Sequence, residues 1–156
     1  MSDPRPPPPG TLAEALSLAG SIADTVSNLA DYSTPSAAEM RLFAVEMRLL
    51  ACSLHCVDTI RPPRGDDDTA PELKTQVENM YKMCATILEH LKDLQDALRP
   101  LAEQFRTPSL LSRVFPRLEW FFADKRKVLV HRKALNAQRV MLNIYTAMVF
   151  VRLEDR

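Results

Sequence analysis

Glycine is scarce in this chain, with three residues in 156. β-rich folds spend glycine on hairpins and tight turns, so the shortage argues against them. Three glycines also cannot build a Gly-rich phosphate loop of the usual kind, and no G-x-S-x-G elbow is present. Cysteine is just as sparse. Cys52, Cys56 and Cys84 are odd in number and sit inside apolar helical patterns, which does not suggest a disulfide framework. No apolar run reaches the roughly 18–20 residues needed to span a bilayer. The Pro-rich start has no apolar core of the kind a signal peptide carries. A reducing, cytoplasmic compartment is therefore expected.

What is present favours helix. Ala, Leu, Met, Arg and Glu are abundant, and all are good helix formers. An apolar fraction of 46% and a charged fraction of 26% are ordinary for one globular domain of this length. The formal net charge of zero hides an asymmetry: residues 1–98 carry a net −7 and residues 99–139 a net +7. Either the two halves attract each other within one bundle, or the basic stretch faces an anionic partner.

Residues 1–10 hold five prolines, at positions 4 and 6–9, and read as an extended, disordered leader. Residues 11–156 read as a single helical domain. Thr11 is expected to cap a first helix reaching Tyr32, apolar over more than half its girth and built from small residues, which suits burial between neighbours. Ser36 and Glu39 form a capping box for a second helix reaching Ile60. Its core stripe is Met40, Phe43, Met47, Leu50, Leu54 and Val57, and Leu42, Leu49 and Cys56 are expected to widen it. Arg61–Thr69, with two prolines and three successive aspartates, reads as a surface loop; no EF-hand ligand spacing follows the aspartates.

The third helix begins at a Thr69–Glu72 capping box. Its seam is Leu73, Val77, Met80, Cys84, Ile87, Leu91, Leu94 and Leu98, a strict alternation of four and three. Such a seam demands a helical partner along its length, from this chain or from another copy of it. Pro100 is expected to break the rod or begin its fraying end. Thr107-Pro108 opens a short aromatic helix, kinked at Pro116 and carrying Trp120, Phe121 and Phe122. Asp124 caps the last helix, whose seam is Val128, Leu135, Leu142, Tyr145 and Val149. Its first half is basic. The stretch from Val140 to Val151 is nearly all apolar, which makes it the centre of the bundle or a contact surface for something outside the chain. The predicted fold is all-α, an antiparallel bundle of four long helices plus a short kinked aromatic helix.

Catalytic chemistry finds little to work with. His55, His90 and His131 form no metalloprotease-type pair. Cys52 and Cys56 are one helical turn apart but lack a second pair at zinc-site spacing, so core cysteines are the better reading. Asp93 and Asp96 suit a solvated helix face. No enzyme activity, cofactor or metal is expected. The remaining constellation is Trp120 followed by Lys125, Arg126, Lys127, Arg132 and Lys133. Aromatics followed by cations suit an anionic membrane surface, and nucleic acid is a weaker reading of the same cations. The plain alternative is a solvated helix face.

The order of elements resembles a known group. The segment L-A-E-A-L-S-L-A-G-S-I-A-D-T-V at 12–26 is followed by Ala38-Glu39 and Leu42-Phe43, then a long heptad helix. R-L-E-W-F-F-A-D-K-R-K-V-L-V at 117–130 then leads into the last helix. This pattern resembles the N-terminal domains of fungal STAND (NACHT or NB-ARC) receptor-like proteins, the HeLo-like group, including the domain type named after the azaphilone pigment cluster protein. The resemblance covers residues 11–153. It implies a helical bundle acting in non-self recognition or cell-death signalling; a protein partner or self-association through helix faces is expected from the long heptad seam and the absence of chemistry. The resemblance also implies, for some relatives, a peripheral action at membranes through the first helix. The Pro-rich leader ahead of the apolar helix departs from the pattern.

Overall fold

Four α-helices make up the described part of the chain. The computed structural model describes residues 10–31, 37–60, 70–105 and 125–155. The helices are α1 (Thr11–Ala30), α2 (Ala37–Thr59), α3 (Pro71–Phe105) and α4 (Lys125–Glu154). The kinked aromatic helix expected after Thr107, the Pro-rich leader up to Pro9 and the aspartate loop lie outside the described residues.

The caps expected from Ser36, Thr69 and Asp124 lie outside the described residues, and the starts of α1 and α3 show the local chemistry. Gly10, not Thr11, occupies the cap position of α1, in a left-handed conformation with φ of 100° that suits glycine. Its carbonyl accepts the first helical bond from Glu14 N at 2.8 Å. Thr11 is instead the first helical residue and is buried. Pro71 takes the first position of α3, where its missing N–H costs nothing. The Ala70 carbonyl accepts from Leu73 N and Lys74 N. α3 does not stop at Pro100. It continues to Phe105, a rod of 35 residues, or about 52 Å. One proline removes a single backbone donor, and a helix already packed along four heptads tolerates that loss.

The bundle consists of two hairpins. In α1–α2, Asp24 lies near Arg48 and Asp31 near Arg41, so the helices are antiparallel. In α3–α4, Glu72 meets Arg152 and His90 meets His131, again antiparallel. The hairpins join through α1 against α3 and α2 against α4. The core draws on all four helices and is filled chiefly by aliphatic and thioether side chains around Phe43. In α1, small residues do the packing: Ala15, Ala19, Ala23 and Ala30 are buried with Ile22, Val26 and Leu29. Their size lets α2 and α3 approach closely. The predicted stripes of α2 and α3 are buried, except that Val77 is only half-buried. In α4, Leu135, Leu142 and Val149 are buried and Tyr145 is partly so. The seam of α3 is thus satisfied by helices of its own chain.

Candidate interaction surface

The unusual surface lies on the side of α2 that the core does not use. Ala38, Leu42, Val45, Leu49, Cys52 and Cys56 are all exposed, Leu42 at 55% and Leu49 at 44%. All but Ala38 lie two residues beyond one of the buried residues Met40, Phe43, Met47, Leu50 and Leu54, which is about 200° around the helix. Ala38 continues the spacing one turn earlier, and α2 therefore carries two apolar seams on opposite faces. Leu42, Leu49 and Cys56 do not widen the core as the periodicity suggested, and Cys52 and Cys56 are not core cysteines. A position two residues from a core residue cannot face the same way in a helix.

α4 repeats the arrangement. Ala137, Ile144 and Val151 lie two residues beyond the buried Leu135, Leu142 and Val149, and all three are exposed. Val140, Met141, Met148 and Phe150 are exposed beside them. The apolar stretch from Val140 to Val151 therefore provides both a core seam and a surface. On a soluble monomer, scattered apolar side chains are ordinary, whereas stripes of this length mark contact sites.

α2 and α4 meet at a polar seam. Arg132 donates from Nε and a terminal nitrogen to both oxygens of Glu46, at 2.8 and 3.0 Å, with both side chains about four-fifths buried or more. Its guanidinium also lies 5.3 Å from the centre of the Phe43 ring. Arg132, predicted as a surface cation, is thus engaged within the chain. Lys133 is exposed, Lys125, Arg126 and Lys127 form the first turn of α4, and Trp120 lies outside the described residues. The attraction between the acidic and basic parts of the sequence is visible here, since Glu46 and Arg132 come from opposite parts.

His90 and His131 approach edge-on, with Nδ1 atoms 3.4 Å apart. At that distance a hydrogen bond between them depends on one ring carrying a proton at Nδ1 and the other offering its lone pair. They tie α3 to α4. No group of three or more His, Cys, Asp or Glu residues among those described could hold a metal ion. A shallow depression of about 190 Å³ lies between Leu73, Glu72 and Arg152, smaller than usual ligand sites of roughly 300–1,000 Å³. Burial pushes the Cys84 thiol up to about 12, which keeps it protonated and inert. Tyr81 is raised as well, by burial first and then by the charges of Cys84 and Asp58. No helix among the described residues is long and apolar enough to cross a membrane.

No protein-family profile, curated protein or solved structure matches the chain. The surface residues therefore have to be read from their own chemistry. The exposed seam of α2 follows the spacing 38-42-45-49-52-56, and its members Leu42, Leu49 and Cys56 share the apolar chemistry of the inner stripe that they were expected to widen.

Proposed function

We propose that this chain is a non-enzymatic interaction and signalling domain that docks helical partners on its outer apolar faces. The supporting observation is a core filled by inward seams while second apolar seams on α2 and α4 stand in solvent. A helix that lays an apolar stripe against another helix is a common recognition mode. The resemblance to N-terminal domains of fungal STAND proteins supplies the context, an effector or adaptor role in non-self recognition or cell-death signalling.

Expression of the full chain in a filamentous fungus, scored by growth and vital-dye uptake, tests this reading. Wild type is expected to impair growth, and the Ile144→Glu/Met148→Glu pair to relieve the effect while preserving helical content. Equal behaviour of the two proteins would count against signalling through α4.

A second reading has support of its own. Met141, Met148, Phe150 and Val151 are exposed on the same helix as the basic first turns, a combination suited to an anionic membrane surface. α1, whose apolar residues are mostly buried or half-buried against the core, would contact lipid with its apolar face only after leaving the bundle. Flotation with anionic vesicles at low salt tests this, and absence of binding there would remove it.

A further inference from the structure

The outer seam of α2 carries enough information to name its occupant. Its spacing of four and three makes Leu42, Leu49 and Cys56 the a positions of a heptad, and Ala38, Val45 and Cys52 the d positions. The seam runs about 27 Å along the helix. It faces solvent along this whole length.

The flanking charges select a partner and a direction. With that register, Glu39, Glu46 and Ser53 fall at e positions, and Arg41, Arg48 and His55 at g positions. A parallel two-stranded pair sets each g residue beside the e residue five positions later in the other chain. For two copies of α2, Arg41 of one copy meets Glu46 of the other, a contact that occurs twice by symmetry, while Ser53, the counterpart of Arg48, is buried with its hydroxyl on the Leu49 carbonyl and takes no part. An antiparallel pair instead sets e against e and g against g, bringing acids to acids and bases to bases. Arg41 pairs with Asp31 only loosely, at 3.8 Å between two largely exposed side chains, and can turn to the new contact. Glu46 already holds Arg132, but a carboxylate offers about four acceptor sites and the fork of Arg132 uses two.

We infer that the outer seam of α2 binds a second copy of this chain in parallel register, forming a symmetric dimer about a two-fold axis along the helix. The inference rests on reading that face as a contact surface and adds its occupant. It does not involve the outer residues of α4. In a parallel pair each a or d residue faces its own counterpart, so Cys52 faces Cys52 and Cys56 faces Cys56 across the axis. Such neighbours fall within the roughly 4.4–6.8 Å between Cα atoms that a disulfide spans.

The test uses the full chain at about 200 μM, in light scattering after size exclusion and in cross-linking with diamide. Diamide is an azo oxidant that takes two electrons and two protons from a thiol pair and leaves a disulfide and a hydrazine. Two proteins each keep one exposed thiol, Cys56→Ser retaining Cys52 and Cys52→Ser retaining Cys56. Both are expected to be dimeric and to form a covalent dimer rapidly on oxidation. Addition of Leu49→Glu should slow cross-linking at least tenfold while leaving the circular dichroism spectrum unchanged. A dilution series of the unmutated chain gives a second readout that depends on no variant.

A monomer at this concentration would overturn the inference, leaving the seam to a segment of the same chain or to another protein. So would a dimer whose single-cysteine forms fail to link, because an antiparallel pair separates the like thiols. Either failure leaves the α4 variants informative, so loss of the dimer and loss of signalling are read separately.

Discussion

At the scale of residues, the three cysteines divide by environment. Cys84 is fully buried and its thiol is pushed up to about 12, whereas Cys52 and Cys56 are exposed. At pH 8 a thiol-selective chromogenic reagent is expected to titrate two cysteines in the folded protein and the third only on unfolding. Fast reaction of all three would show that α3 is not packed around Cys84. Raised values at Cys84 and Tyr81 mean that the folded state holds these protons more tightly than the unfolded chain. The contribution of Cys84 is present below the ordinary thiol value of 9 and is lost as pH rises toward about 12, and that of Tyr81 is lost as pH rises above its ordinary value of 10. Urea midpoints should therefore fall above pH 9, and Cys84→Ala should reduce the slope of that fall.

Arg132 shows what sequence position hides. It sits among cations and reads as one of them, yet its fork closes on Glu46, 86 residues earlier in the chain. Only the packing of α2 against α4 brings them together. A double-mutant cycle with Glu46→Gln and Arg132→Met should give a coupling of about 1–3 kcal/mol, as expected for a largely buried bidentate pair. The exposed Lys92–Glu14 pair should give about 0.2–1 kcal/mol. Equal values in urea titrations would show that the Arg132 fork is not held.

At the scale of elements, periodicity announced the inward faces well. The seams of α2 and α3 could be read from spacing alone, because a buried stripe and a helical repeat are the same observation. Leu91→Asp is expected to cost about 3–5 kcal/mol, since it sets an unpaired charge against the fully buried residues of α3 and its neighbours. A urea midpoint unmoved by this change would mean that the α3 seam is not in the core. The outer faces were harder to read. Leu42, Leu49 and Cys56 carry the same apolar chemistry as Phe43 and Leu50, and side-chain type does not say which of two apolar faces meets solvent. Only the position of the neighbouring helices decides it. Pro100 does not break the rod, since α3 runs on to Phe105, five residues past the proline: its local propensity opposes helix, but it removes a single backbone donor. The start of α1 differed by one position because Gly10 adopts the left-handed conformation itself, leaving Thr11 to enter the helix.

At the scale of the whole molecule, the fold is two antiparallel hairpins locked together, with α2 joined to basic α4 through Glu46 and Arg132. The four-helix, all-α character was legible because each helix has its own stripe and its own punctuation. The order of packing, α1 on α3 and α2 on α4, was not legible, because every helix is apolar enough to accept any other. The candidate surface shares this property, as the side chains that could join two chains are of the same kind as those that hold one together. The account therefore depends on a division between inward seams that stabilise the bundle and outward seams that do not.

Urea unfolding of the Leu49→Asp/Ile144→Asp double variant, at low micromolar concentration where self-association is negligible, tests that division most directly. Both positions are exposed in the described structure, so the variant is expected to stay within about 1 kcal/mol of the wild type, the sum of two surface changes of roughly 0.5 kcal/mol each. A loss of several kcal/mol, comparable to that of Leu91→Asp, would place these residues in the core and contradict the account.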